Sequence, residues 1–138
     1  MCEFGWCCCL CINIQIRVIY VIETLPSVIL IDKLNEKIVN AAKESLGDRL
    51  SKIILYGSYA RNEHNDESDI DYMILADIPQ EDAGIWDAII YKRVSEIELE
   101  HNIIFSAYVT NLNLFNGYVE ILPYYSNIDR EGIVIYAA

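Results

Sequence analysis

Two hydrophobic rhythms alternate along this chain. Leu34, Ile38, Ala41, Ala42 and Leu46 recur at the spacing of one helix face. Asp32 is placed to cap that helix and Gly47 to stop it. Lys52 to Tyr56 is a short apolar run ending at Gly57, the pattern of a buried strand. Residues 58–63 are expected to form one helical turn, and Asn62 to Ser68, with no apolar residue, a loop. Ile70 to Leu75 reads as a second strand. Pro79 ends the connection that follows. Glu81 to Glu100 then carries Ile85, Ile89, Ile90, Val94 and Ile97 as a second helix face. Asn102 to Thr110 is rich in strand-forming residues and predicts a third strand. Asn111 to Asn116 reads as a loop or the start of a helix. Gly117 to Asn127 is ambiguous, because Pro123 interrupts it. Gly132 precedes a closing strand, Ile133 to Tyr136. This alternation predicts an α+β fold, α/β-like in character: a small mixed sheet with helices packed on it.

The first residues follow neither rhythm. All five cysteines lie there, at Cys2, Cys7, Cys8, Cys9 and Cys11. A disulfide framework would spread its cysteines through the fold, and adjacent cysteines make a poor zinc site. Phe4 to Ile16 is uncharged, but Arg17 and Glu23 interrupt the apolar stretch. No run reaches the roughly 18–20 apolar residues that span a bilayer. Glu3 stands where a secretory signal carries positive charge. Residues 1–26 are therefore expected to be an extension outside the fold, and residues 27–138 the domain. The cysteine-free body suits a reducing, cytoplasmic setting.

Composition narrows the function. The 138 residues are enough for one domain with a real core. Ten Lys and Arg against 21 Asp and Glu leave a net charge of −11, the opposite of the basic footprint that phosphate backbones need. Direct nucleic-acid binding is not expected. Nucleotides are still admitted, since acidic sites bind them through divalent cations.

The segment that carries chemistry runs from Leu55-Tyr56-Gly57-Ser58-Tyr59-Ala60-Arg61 to Ser68-Asp69-Ile70-Asp71. Five acids lie between Glu63 and Asp71, with no Lys or Arg among them. Residues i and i+2 of a strand share a face, so Asp69 and Asp71 should point the same way. Two anions so placed call for water or a cation between them, and hard oxygen ligands with open positions suit Mg²⁺. Gly57 lets the backbone turn sharply and approach a ligand closely. The free amides at the start of the following turn, with the Ser58 hydroxyl, suit a phosphate. One strand end thus offers a phosphate cradle and the next strand metal ligands, the requirements of a nucleoside triphosphate held through Mg²⁺. Taken singly, Gly-Ser is a turn, Asp-x-Asp a solvated strand end and Arg61 a surface cation. Their order and spacing give them meaning.

That combination resembles the DNA polymerase beta-like nucleotidyltransferase superfamily, and within it the minimal nucleotidyltransferases of prokaryotes. Their motif is Gly-Ser, ten residues, then Asp-x-Asp, and Tyr59 to Ser68 supplies the ten. The closing Arg130-Glu131-Gly132-Ile133 to Tyr136 also resembles the end of such domains. The resemblance covers residues 32–136 and implies the polymerase beta-type fold. It implies that Gly57 and Ser58 bind the triphosphate of ATP or another nucleotide. Asp69 and Asp71 would hold a two-metal Mg²⁺ site, and Arg61 would pair with phosphate or brace the acidic loop from behind. The implied reaction moves a nucleoside monophosphate, plausibly AMP, onto a hydroxyl of a partner protein. The implied partner is a HEPN-type ribonuclease toxin, silenced by AMP on a tyrosine, with this chain as its antitoxin.

Two departures stand out. Asn62 replaces a glycine common in the family. Active members often carry a third carboxylate on a later strand, yet Asn102 to Val109 contains no acid; Glu98 and Glu100 read as helix-end residues. An antitoxin that neutralises its partner by contact alone is therefore the alternative, and an antibiotic nucleotidyltransferase subunit a third. His64 and His101 enter none of these schemes.

Overall fold

The computed structural model describes residues 29–138. The chain divides between Leu34 and Asn35. Of the first unit, residues 29–34 are described, and they are helical. The second unit, Asn35–Ala138, holds the sheet and the site. The expected boundary between residues 26 and 27 falls outside the described residues.

Residues 29–46 are helical; the part within the second unit, 35–46, is α1. All five apolar positions of the predicted face are buried. Asp32 is not the cap that its position suggested, because residues 29–32 are already helical and Asp32 is simply an exposed helical residue. Gly47, at φ +55°, ends the helix as expected and opens a short 3-10 turn, Gly47–Arg49.

Four strands follow: β1 (Leu50–Tyr56), β2 (Ile70–Ala76), β3 (Phe105–Asn111) and β4 (Ile133–Ala137). Their order in the sheet is β3-β2-β1-β4. β1 pairs antiparallel with β2 and β4, while β2 and β3 run parallel, so the sheet is mixed as predicted. Asp71 lies opposite Tyr56 on one side and Ser106 on the other.

Strand alternation divides the core between two faces. On one, Ile54, Met73 and Leu75 pack with Phe115 and Ile128, flanked by Tyr56 and Tyr125. On the other are Ile53, Leu55, Tyr72 and Ile74, all buried. α1 lies on that second face, where the Tyr72 hydroxyl donates to Asn35 Oδ1 at 2.7 Å. Lys43 also sits 4.7 Å from the centre of the Tyr136 ring.

The single helix expected over residues 81–100 is two. After a 3-10 turn at Gln80–Asp82 come α2 (Ala83–Val94) and α3 (Glu96–His101), broken at Ser95. The buried stripe also differs from the expected one. Ala83, Ile90, Val94 and Ile97 are buried, whereas Ile85 is 61 % exposed and Ile89 is also exposed. The stripe passes through Asp87, whose polar side chain hides the periodicity.

Asp87 has a structural task. β3 is an edge strand, and its outward N–H groups need partners. Asp87 Oδ1 accepts from the Val109 N–H at 2.6 Å, Gln80 Oε1 from Asn111 at 2.8 Å, and Glu98 Oε1 from Phe105 at 3.2 Å. β3 starts at Phe105 and not at Asn102, because Asn102 takes the left-handed conformation (φ 51°) that terminates α3.

The remaining ambiguities resolve as helices. Asn111 caps α4 (Leu112–Tyr118), its side chain accepting from the Leu114 N–H at 2.8 Å. Pro123 starts α5 (Pro123–Glu131) instead of breaking it, since the first helical position needs no N–H. Among the described residues no helix is long and apolar enough to cross a membrane.

Candidate active site

The sheet face that carries Tyr56 and Asp71 ends in the turn after β1. Gly57, at φ +76°, makes that turn possible. The Arg61 N–H donates to the Gly57 carbonyl at 3.2 Å and the Glu63 N–H to the Ser58 carbonyl at 2.9 Å. Residues 57–62 are therefore a hydrogen-bonded turn and not a regular helix. In a turn closed this way the amides of Ser58, Tyr59 and Ala60 occupy the positions of a helix's first donors, which find no partner within the turn.

Gly57 and Asp71 bring the two halves of the motif together. A Cβ at Gly57 would stand 2.6 Å from Asp71 Oδ2. The carboxylate thus occupies the space that any other residue's side chain would take. Asp69 precedes β2 by one residue, and its negative charge together with the burial of Asp71 pushes the Asp71 carboxyl above the usual carboxylate range, burial being the larger cause. A nearby cation would favour the charged form of such a carboxylate. Hard oxygen donors of this kind match Mg²⁺, which binds through one or two carboxylates plus phosphate oxygens.

Among the described residues no group of three or more His, Cys, Asp or Glu could hold a metal ion. Ser106 lies beside Asp71 on β3 and Tyr108 beside Met73, so neither adjoining position is acidic. Glu98 and Glu100 lie in α3, and Glu98 is occupied with the Phe105 N–H and the Tyr91 hydroxyl.

Arg61 projects to the side of the turn. Its Nε donates to Glu63 at 2.8 Å, and its Nη1 lies 3.6 Å from Glu131. It therefore joins the turn to the end of α5. His64 stacks on Tyr59 with ring centres 4.1 Å apart, and His101 sits at the end of α3.

Several residues around the site escaped the sequence reading. The Tyr56 and Tyr124 hydroxyls are 2.9 Å apart. Burial, the Tyr124 hydrogen bond and the Asp71 charge push the Tyr56 hydroxyl well above its ordinary range, burial most of all. Tyr124 separates two cavities. One, of about 210 Å³, is lined by Tyr56 at the end of β1, by Gly57 and Arg61 of the turn and by α5. The other, of about 430 Å³, lies toward Met73, Asp87 and Tyr108. Tyr56 adjoins the motif directly. Tyr124, Asn127 and Glu131 share helical spacing, a signal that Pro123 obscured.

The family model of the nucleotidyltransferase domain matches residues 35–125, and the chain belongs to that family; it is a nucleotidyltransferase, an enzyme class whose substrate is a nucleoside triphosphate. A protein of Methanocaldococcus jannaschii named a putative protein adenylyltransferase is 33% identical over 105 residues, 76% of this chain and 97% of the relative. Two solved structures are also similar. One is a toxin-antitoxin crystal structure with AMP-PNP, at TM-score 0.47 and 17% identity, covering 75% of this chain and 73% of that one. The other is a crystal structure of a putative nucleotidyltransferase from Sulfolobus solfataricus, at TM-score 0.46 and 19% identity, covering 76% and 78%.

Proposed function

We propose that this nucleotidyltransferase transfers AMP from ATP to a hydroxyl group of a partner protein. The observation that carries the reading is the approach of Asp71 Oδ2 to Gly57, which sets one carboxylate of the Asp-x-Asp motif directly against the Gly-Ser turn. The relative named for protein adenylylation supports the acceptor class. In this reading the Ser58 hydroxyl and the turn amides hold the triphosphate, and Asp69 and Asp71 hold Mg²⁺. Bound there, Mg²⁺ would neutralise phosphate charge and polarise the reacting oxygens. The acceptor oxygen forms a bond to the α-phosphorus while the bond to the β-phosphate oxygen breaks, and pyrophosphate leaves. β3 supplies no carboxylate to take the acceptor's proton, which passes to water.

The sequence resemblance implies a HEPN-type ribonuclease toxin as the partner, with this chain as its antitoxin. Labelled ATP, Mg²⁺ and such a partner encoded beside this chain provide the test. Label should appear on the partner with the wild type and vanish with Asp69→Ala. Absence of transfer by the wild type refutes the proposed acceptor.

The pair of non-acidic positions, Ser106 and Tyr108, favours a second reading in which the chain silences its partner by contact. The two readings separate on one variant. Asp69→Ala with Asp71→Ala abolishes protection if AMP transfer is what silences the toxin, and preserves it if contact suffices.

A further inference from the structure

We propose that the stripe of α5 formed by Tyr124, Asn127 and Glu131 is the nucleobase subsite of this enzyme and selects adenine, with its 6-amine, over guanine, with its 6-carbonyl. The inference rests on the placement of the triphosphate at Gly57 and Ser58.

Tyr124 is 52 % exposed, yet its ring is held on several sides. Its hydroxyl meets that of Tyr56 at 2.9 Å. The Tyr56 ring meets it edge-on, at 87° and 6.1 Å between centres, and Tyr125 packs beside it at 5.5 Å. Tyr125 in turn packs on the buried Phe115 at 5.1 Å. An aromatic ring anchored to the core but open to solvent loses little freedom when a flat ligand stacks on it. Tyr56 is strand-paired with Asp71, so this ring stands at the same end of the same sheet face as the acid pair.

The polar groups of the stripe suit a neutral heterocycle. Tyr124, Asn127 and Glu131 follow i, i+3 and i+7, one side of α5, with Ile128 beneath, and all four line the 210 Å³ cavity that also reaches Gly57. The cavity's two charges, on Arg61 and Glu131, face each other at 3.6 Å and offset one another. Asn127 Oδ1 accepts from Arg130 at 3.0 Å, which leaves its amide N–H groups as donors. Glu131 can only accept; its Oε1 already takes Arg130 Nη2 at 3.2 Å and its Oε2 faces Arg61 Nη1 at 3.6 Å, so a base amine would use the remaining lone pairs of these oxygens. A donor beside an acceptor complements adenine, which presents a ring-nitrogen acceptor next to an exocyclic amine; guanine presents a carbonyl where adenine has the amine.

The test uses the full chain with Mg²⁺ and three probes: a non-hydrolysable ATP analogue, the GTP analogue and inorganic tripolyphosphate. The wild type should bind the ATP analogue more tightly than the GTP analogue. Tyr124→Ala should weaken ATP-analogue binding by about 5- to 150-fold, the equivalent of one stacked base, and leave tripolyphosphate binding unchanged. Tyr124→Phe should recover most of the lost affinity, and Glu131→Gln should narrow the preference between the two analogues. Equal loss of tripolyphosphate and ATP-analogue binding in Tyr124→Ala would show that the ring supports the phosphates or the fold, and would overturn the inference. Undiminished ATP-analogue binding in that variant would overturn it as well. Failure of the wild type to bind either the ATP analogue or tripolyphosphate would instead remove the triphosphate site itself.

Discussion

At Gly57 two demands meet on one α-carbon. The backbone there is left-handed, at φ +76°, and the space above it belongs to Asp71. Gly57→Ala therefore costs about 1–2 kcal/mol in backbone strain and also pushes the carboxylate out of place. Urea unfolding should show the modest loss of stability, while transfer activity should fall by about 100-fold or more, the scale of several kcal/mol of lost charge stabilisation. Asp71 makes the opposite trade. Its folded carboxyl titrates above the usual value of 3.8, because burial and Asp69 disfavour its charge. Folding then takes up a proton that the unfolded chain has released, so the metal-free protein loses stability as pH rises from about 3.8 through the raised value. Asp71→Asn should flatten that slope, raise the melting temperature of the metal-free protein at neutral pH and abolish transfer. Calorimetry across pH with and without EDTA checks the sign, and added Mg²⁺ should stabilise the wild type and not the variant.

The elements owe their placement to contacts that local patterns record unevenly. The α5–β4 junction is a case where a glycine is needed for closeness and not for conformation: Gly132 has φ −70°. A Cβ there would overlap Ile54 Cγ2 and the Ile128 carbonyl oxygen. Gly132→Ala should destabilise the fold by about 1–3 kcal/mol through overpacking, read as a lower urea midpoint, and it should loosen α5 and with it Tyr124. α2 illustrates the reverse difficulty. Its apolar residues include exposed Ile85 and Ile89, while half-buried Asp87 sits on the packed stripe to close the Val109 N–H. Asp87→Ala leaves that edge donor without its partner, at a cost of about 1–3 kcal/mol; Asp87→Asn retains an acceptor and should be milder, a difference that amide exchange at Val109 would reveal. Periodicity identified strands β1 and β2 well because both are central and each carries an unbroken apolar run, Ile53–Tyr56 and Tyr72–Ala76. It misjudged the start of β3 and the break at Ser95, where the helix end and its αL residue Asn102 obey capping geometry instead.

The whole molecule is strongly acidic, and an acidic protein that binds a polyanionic nucleotide needs cations to do so. EDTA should therefore reduce ATP binding by at least about tenfold, and Mg²⁺ should restore it where equal ionic strength of NaCl does not. Composition, net charge, the Gly-Ser to Asp-x-Asp spacing and the two central strands were all legible in the amino-acid order. Each depends on residues near one another in the chain, whose periodicity and spacing survive without a fold. The opposition of Asp71 to Gly57 was foreseeable as a consequence of that spacing, but its closeness was not. The Tyr56–Tyr124 hydroxyl pair joins residues 68 positions apart, Arg61 meets Glu131 across the turn and α5, and β3 places Ser106 beside Asp71. Those meetings arise when α5 closes over one sheet face and β3 docks parallel to β2, and no local pattern encodes the register at which distant segments pack. The sequence by itself determined the chemistry available at one strand end; the tertiary structure alone decided what surrounds it, because packing brings together groups that the chain keeps far apart.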